Sequence, residues 1–156
     1  MKKISLKNLD IAIVGGAGFI GHNLALHLKK LGANVQIIDS LIVNHLGSIE
    51  KNTDLLPNPE LAKKILNERL RLLKNTGIQV HEQDAREYNE LSSKINEVKP
   101  KVIIHLAAVS HANRSNKDPH STFDHSLRTL ENSLDNAKNN VDHFIFLSSS
   151  MVYGNF

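Results

Sequence analysis

The sequence IAIVGGAGFIG, residues 11–21, joins a short apolar run to a glycine-rich turn and then to the start of a helical pattern. Glycine has no Cβ, so the chain can turn sharply off a strand here and let a ligand approach its backbone. The helix that follows presents free N–H groups and the positive end of its dipole, which together suit a phosphate group. This order of strand, glycine turn and helix is typical of a diphosphate-binding unit.

An acidic residue, Asp39, follows the next apolar run at residues 35–38. A carboxylate at this position can accept hydrogen bonds from the ribose of an adenosine and repels a 2′-phosphate. The glycine turn and Asp39 together predict a bound dinucleotide, with NAD favoured over NADP. The alternative is that the glycines serve only the packing of a tight strand–helix turn.

Apolar runs alternate with helical patterns along the whole chain. Because the runs are almost continuously apolar, they are typical of parallel strands covered on both faces. Strands are expected at residues 11–14, 35–38, 78–81, 102–106 and 144–147. The alternation predicts an α/β fold over residues 1–156: a doubly wound parallel sheet of the Rossmann type, with helices on both faces.

Local signals predict where the helices begin, where they end and which faces they bury. The first helix should stop at Gly32, and the Asn58-Pro59 and Asp118-Pro119 pairs should start two others. Residues 40–58 are expected to form an irregular loop, so the helix after it belongs to an insert at about 40–75. This insert could border the adenine end of the cofactor, elaborate the surface or contact another chain. The expected buried faces are Ile20, Leu24, Leu28 and Leu31; Leu61, Ile65, Leu66, Leu70 and Leu73; Leu91, Ile95 and Val98; and Phe123, Leu127, Leu130 and Leu134.

The composition limits the classes of function. The chain has no cysteine, which excludes disulfides and thiolate zinc sites, and no metal-ligand spacing among its histidines, so no metal site is expected. No apolar run approaches the roughly 20 residues of a membrane span and the N-terminus lacks a signal peptide, so we expect a cytoplasmic protein with no membrane partner. The net charge is +3, and the basic residues between 60 and 75 alternate with acids. They favour a solvated helix face over a polyanion patch, and no nucleic-acid partner is expected.

Three further motifs follow the predicted strands: DAR at residues 84–86, HLAA at 105–108 and SSSMVYG at 148–154. With the glycine turn and Asp39, they resemble the extended short-chain dehydrogenase/reductase family, the NAD-dependent nucleotide-sugar epimerases and dehydratases. The resemblance implies NAD as cofactor, a nucleotide-sugar substrate and a setting in polysaccharide-precursor synthesis.

The resemblance also implies roles for individual residues. The glycines would surround the pyrophosphate, Asp39 would hold the adenosine ribose, and Asp84 and Ala85 would border the adenine. Phe19 and Ile20 would supply main-chain N–H groups or packing. The cofactor-binding positions would be Gly15, Gly18, Phe19, Ile20, Gly21, Asp39, Ser40, Asp84, Ala85, Leu106, Ala107 and Ala108. For Asp84, capping of a local turn is the alternative.

The catalytic side of the site is only partly represented. Ser149, four residues before Tyr153, would hydrogen-bond the reacting sugar hydroxyl, with Ser150 as the neighbouring choice; an ordinary strand-end turn is the alternative. Tyr153 itself is expected to be structural. His105 lies within an apolar run and is expected to be a packed, hydrogen-bonded imidazole and not a base.

The family's catalytic pair, Tyr-x-x-x-Lys, does not occur in the 156 residues. In that pair the tyrosine takes the hydroxyl proton and the lysine lowers the pKa of the phenol. We therefore expect an inactive N-terminal part of a longer enzyme, without its substrate-binding portion. A homo-oligomer, or pairing through the edge of the fifth strand, is also expected. A non-catalytic NAD-binding scaffold and a reductase of a small carbonyl compound are the alternative functions.

Overall fold

The computed structural model of the chain describes residues 5–43, 45–51, 57–109 and 118–149, and these contain one parallel five-stranded sheet. The strands are β1 Asp10–Val14, β2 Asn34–Asp39, β3 Gln79–Glu82, β4 Val102–His105 and β5 His143–Phe146. Their order in the sheet is β3-β2-β1-β4-β5, and every neighbouring pair is parallel. The predicted doubly wound fold is therefore confirmed, with each strand within one or two residues of its expected bounds.

The most apolar strand lies at the centre of the sheet. β1 pairs with β2 on one side and with β4 on the other, and Ala12 and Ile13 are fully buried. Alternate residues of β1 point to opposite faces, so Ile13 belongs to one apolar cluster and Val14 to another. Both faces are covered, as expected for a parallel sheet.

Six α-helices and one π-helical turn occur in the described part of the chain. They are α1 Phe19–Lys30, α2 Leu46–Lys51, α3 Pro59–Asn75, α4 Tyr88–Val98, α5 Pro119–Phe123, the π-helical turn Asp124–Arg128 and α6 Thr129–Ala137. The short helix α2 lies within residues 40–58, which the sequence predicted as irregular. Within the described ranges, none of the helices combines the length and the apolar character needed to cross a bilayer.

The predicted helix boundaries are confirmed by the caps. Gly32 follows α1 with φ at +94°, the left-handed conformation that suits a glycine after a helix end. The Asn58 side chain accepts a hydrogen bond from the Leu61 N–H at 2.9 Å. The Asp118 side chain accepts one from the Ser121 N–H, also at 2.9 Å.

The predicted buried faces are confirmed to different degrees. On α4, Leu91 and Ile95 are buried as expected. On α1 the half-buried Leu24 and Leu28 pack against the core, but Ile20 and Leu31 are exposed. On α3, Leu66 and Leu73 are buried, whereas Leu61 and Ile65 are exposed.

For the segment 119–137 the prediction of the buried face was wrong. Phe123, Leu127 and Leu134 are exposed, whereas α6 buries Asn132 and Ser133. These two polar side chains are hydrogen-bonded where they meet the rest of the domain, so their burial is compensated. Hydrogen bonding, and not hydropathy, therefore decides which face of α6 meets the sheet.

Candidate functional site

The turns that follow β1 and β4 meet at the centre of the sheet. The strand order reverses between these two neighbouring strands, and ligands of such sheets bind where the order reverses, outside the carboxyl ends. Gly15 has φ at +76°, and a Cβ added to it would lie 2.5 Å from the Ala107 nitrogen. The two turns are thus in direct backbone contact, as the assignment of both to one site requires.

The remaining glycines of the turn differ in what surrounds them. A Cβ on Gly21 would lie 2.6 Å from the Gly16 carbonyl carbon, so Gly21 is needed for the packing of α1 on the turn. Among the described residues, a Cβ on Gly18 would find no atom nearer than the Gly15 carbonyl oxygen at 3.8 Å. Packing within the chain therefore does not require glycine at 18, and the open side leaves room for a ligand to approach the backbone. This is the fit expected for a diphosphate.

The first turn of α1 is open to an anion. Gly18 is the N-cap and has no side chain with which to cap the helix. The Phe19 and Ile20 side chains are 74% and 57% exposed, so neither packs into the core. Of the two roles predicted for them, the supply of main-chain N–H groups fits this geometry better than packing does.

The side chain of Asp39, the last residue of β2, is hydrogen-bonded to the glycine turn. Its Oδ2 accepts a hydrogen bond from the Ala17 N–H at 2.9 Å, and its Oδ1 accepts one from the Leu41 N–H at 2.8 Å. A carboxylate has about four acceptor positions, so the two bonds leave capacity for ribose hydroxyls. The neighbouring Ser40 is half-buried. Its hydroxyl oxygen accepts a long hydrogen bond from the Ile42 N–H, with 3.5 Å between oxygen and nitrogen.

A cation from the insert also reaches this turn, and the sequence did not predict it. Arg69 on α3 donates a hydrogen bond from Nη1 to the Ala17 carbonyl oxygen at 3.0 Å. Burial lowers the pKa of the Arg69 guanidinium, and the nearby Asp39 carboxylate acts in the opposite direction. From the sequence, Arg69 was expected to belong to a solvated basic face. Its contact with Ala17, 52 positions away, distinguishes it from the other basic residues of that face.

Other charges of the same helix do behave as predicted. Lys63 pairs with Glu60 at 3.2 Å, and Arg71 pairs with Glu68 at 2.7 Å, both along the exposed surface of α3. For these side chains the interpretation as a solvated face is confirmed.

At the end of β3, Asp84 closes a turn and forms an ion pair. Its Oδ1 accepts the Arg86 N–H at 2.9 Å, and its Oδ2 lies 2.7 Å from Arg86 Nη2. Burial alone would raise the pKa of Asp84, but the hydrogen bonds and charge of Arg86 outweigh it and lower that pKa. Arg86 also forms an ion pair with Asp124, with Nη1 at 2.9 Å from Oδ2. This pair connects the end of β3 to the π-helical turn. The alternative prediction for Asp84, capping of a local turn, is thus confirmed. Its contact with adenine stays a prediction.

Ala85 is buried beside this ion pair. The Asn132 side chain donates to the Ala85 carbonyl oxygen at 2.9 Å and to that of Arg86 at 2.8 Å. The sequence did not single out Asn132, because nothing in a helical pattern shows which polar residue faces a strand end.

His105 is a packed imidazole, as predicted. It is fully buried, with Nε2 at 3.1 Å from the Ala107 carbonyl oxygen and Nδ1 at 3.1 Å from the Ser133 hydroxyl. A carbonyl only accepts, so Nε2 carries the proton and Nδ1 accepts from Ser133. Burial lowers the pKa of His105 to about 4, against a smaller opposing effect of the Ala107 carbonyl. The neutral ring thus fixes the backbone at residue 107.

The chain that leaves β4 carries three predicted site residues. Leu106 and Ala107 are half-buried, and Ala108 is exposed. The Leu106 N–H donates a hydrogen bond to the Val14 carbonyl oxygen at 2.8 Å. Ser126, in the π-helical turn, accepts a hydrogen bond from the Val109 N–H at 3.1 Å. Such turns often occur at functional sites, but sequence periodicity does not reveal them.

Ser149 is exposed and lies three residues beyond the end of β5. Because β5 is parallel to β4, Ser149 is on the same edge of the sheet as Ala107 and Ala108. Ser150 and Tyr153 lie outside the described residues, so the choice between Ser149 and Ser150 stays open.

The strand order and the glycine turn define a Rossmann fold of the dinucleotide-binding type. The profile of the NAD dependent epimerase/dehydratase family matches residues 11–156. The chain therefore belongs to the NAD-dependent epimerase/dehydratase family, as the sequence motifs predicted.

Among curated proteins, the chain is similar to a UDP-glucose 4-epimerase of Lacticaseibacillus casei, with 28% identity over 94% of this chain and 37% of that protein. It is 27% identical to Protein CapI of Staphylococcus aureus, over 94% of this chain and 39% of that protein. The chain thus spans less than two-fifths of the length of these relatives.

Solved structures show the same fold. A UDP-glucose-4-epimerase from Stenotrophomonas maltophila, solved with NAD and formylated UDP-arabinopyranose, superimposes with a TM-score of 0.73 at 24% identity, over 96% of this chain and 39% of that one. The UDP-glucose 4-epimerase of Bifidobacterium longum, in complex with NAD⁺ and UDP, gives a TM-score of 0.70 at 23% identity, over 92% of this chain and 38% of that one.

Proposed function

We propose that this chain is the NAD-binding portion of a nucleotide-sugar epimerase or dehydratase that acts by transient hydride transfer. The observation that carries the proposal is the open side of Gly18, where the backbone can be approached although no packing requires a glycine. The uncapped start of α1 and the Asp39 carboxylate beside it complete the features that a dinucleotide needs. The family membership supports NAD as the dinucleotide.

Each part of the edge would hold one part of the cofactor. The turn 15–21 would bind the diphosphate through main-chain N–H groups, and Asp39, with Ser40 beside it, would hold the adenosine ribose. Asp84 and Ala85 would border the adenine. The nicotinamide half would lie along residues 106–108, where alanines leave the backbone accessible. NAD, when bound, would supply the acceptor and later the donor of a hydride.

The sugar would be held from the end of β5. The Ser149 or Ser150 hydroxyl would hydrogen-bond the sugar hydroxyl that loses its proton. In the family a tyrosine activated by a lysine takes that proton, and the 156 residues hold no Tyr-x-x-x-Lys. We infer that the chain alone binds NAD and turns over no sugar. Formation of NADH from a UDP-sugar by this chain alone would contradict that inference.

The test is a calorimetric titration of the wild type and Gly18→Val with NAD⁺ and NADP⁺. The wild type should bind NAD⁺ more tightly than NADP⁺, because Asp39 repels a 2′-phosphate. Gly18→Val should lose at least about tenfold in affinity, equivalent to about 1.4 kcal/mol, because its side chain fills the approach to the backbone. Its thermal unfolding should stay close to that of the wild type. A wild type that binds neither dinucleotide, or prefers NADP⁺, would overturn the proposal.

A further inference from the structure

A part-buried hydrogen bond joins the inserted helix α3 to the glycine turn. Arg69 Nη1 donates to the Ala17 carbonyl oxygen at 3.0 Å, and Ala17 is fully buried. α3 also contacts α1, the helix that starts from this turn. The contact therefore links an element outside the basic strand–helix alternation to the centre of the proposed NAD site.

Ala17 is held at both of its backbone polar groups. Its N–H donates to Asp39 Oδ2 at 2.9 Å, and its carbonyl accepts from Arg69. Its neighbours, Gly16 and Gly18, are the residues whose backbones rotate most freely. The two hydrogen bonds at Ala17 thus restrain the backbone of the turn between two glycines.

The charges of Arg69 and Asp39 also interact. Asp39 is only 7% exposed, and a carboxylate so far from solvent is stable when a cation and N–H donors surround it. The Asp39 charge in turn favours the charged form of Arg69. Arg69 and Asp39 therefore support each other across Ala17.

We propose that Arg69 is a positioning residue for the dinucleotide, which couples the inserted helix α3 to the diphosphate-binding turn by holding the Ala17 carbonyl. The inference rests on the proposed NAD site. It also gives the insert a function at the cofactor, in place of surface elaboration alone.

The test compares three variants in NAD⁺ titrations. Arg69→Met keeps the length of the side chain but removes the donor, so the Ala17 carbonyl is left unsatisfied and NAD⁺ affinity should fall at least about tenfold. Arg69→Lys keeps a donor and a charge and should recover most of that loss. Arg71→Met is the matched control, because Arg71 is exposed on the same helix and pairs along it with Glu68. It should bind NAD⁺ like the wild type.

Hydrogen–deuterium exchange of the wild type gives a second readout that does not depend on a variant folding. NAD⁺ should slow exchange in α3 as well as in the glycine turn, and this slowing in α3 should be lost in Arg69→Met. Unchanged exchange in α3 on NAD⁺ binding would overturn the inference, as would equal affinities of Arg69→Met and the wild type. A wild type that does not bind NAD⁺ would instead overturn the proposed function from which the inference starts.

Discussion

At the scale of single residues, the glycines of one turn have different physical roles. Gly15 and Gly21 are required by close approach of the backbone to Ala107 and Gly16, whereas a Cβ on Gly18 would meet the described residues only at ordinary contact distance. The sequence motif presents them as equivalent. Only the structure separates the glycines that packing requires from the one at which it requires none.

Substitution of Gly21 should therefore affect folding, not binding alone. Gly21→Ala places a Cβ within 2.6 Å of the Gly16 carbonyl carbon, and such overpacking costs about 1–3 kcal/mol of unfolding free energy. Denaturant unfolding should show this loss for Gly21→Ala and a smaller one for Gly18→Ala, where alanine is a poorer N-cap residue than glycine but causes no clash. Equal stabilities of the two variants would contradict the division of roles.

His105 should make stability depend on pH. Its pKa is about 4 in the folded chain and about 6.5 when unfolded, so between these values the unfolded state binds more protons. Stability should accordingly be retained above pH 6.5 and fall as the pH drops toward 4. From pH 7 to pH 5 the loss from this residue is about 2 kcal/mol, at about 1.36 kcal/mol per pH unit below 6.5.

The pH effect of His105 can be isolated by a pair of variants. Burial also lowers the pKa of His81, which contributes in the same direction, so the wild-type curve contains more than one residue. Urea unfolding at pH 7 and pH 5 should show a smaller difference for His105→Gln than for the wild type. His143→Gln, at an exposed position, is the control and should keep the wild-type difference. An unchanged difference in His105→Gln would rule out the assignment.

At the scale of elements, strands and caps were predictable and buried faces were less so. β1, β2, β4 and β5 are rich in apolar residues, and Asn58 and Asp118 act locally, so for these features the sequence contains the necessary information. The buried face of α6 depends on the partners of Asn132 and Ser133, which lie on other elements. Arg69 reaches Ala17 across 52 residues for the same reason. No periodicity shows such contacts.

The N-cap of α3 offers a test of how strongly the inserted helix is held. Asn58→Ala removes the acceptor for the Leu61 N–H, which should cost about 1 kcal/mol of unfolding free energy. Asn58→Ser should retain most of the stability, because serine also caps helices well. Because α3 carries Arg69, NAD⁺ affinity should decrease together with the cap. Calorimetric unfolding and NAD⁺ titration measure both effects, and full stability of Asn58→Ala would contradict the role of the cap.

At the scale of the whole molecule, two apolar surfaces are exposed beside each other in sequence. Leu127 and Leu134 line one surface of the segment 124–137, and Phe146 ends β5 at the edge of the sheet with 46% exposure. Large exposed apolar patches mark contacts with other protein surfaces, so each of these two surfaces is a candidate contact. This exposure is consistent with the predicted homo-oligomer or edge pairing.

Self-association should therefore be measurable, and its route can be identified. Light scattering after size exclusion should give a mass above that of one 17.4 kDa chain. Leu127→Glu with Leu134→Glu should return the mass to that of a monomer if the helix surface is the contact. If the edge of β5 is the contact, Phe146→Lys should instead return the mass to that of a monomer. A wild type that elutes as a monomer at all concentrations would contradict self-association.

The direct backbone contact between Gly15 and Ala107 has a mechanical consequence. No side chain separates the two turns, so neither can move toward the other without a clash. A movement of the chain after β4 toward β1 would thus push against the glycine turn. In the proposed NAD site, this contact would couple the nicotinamide half of the cofactor to its diphosphate half.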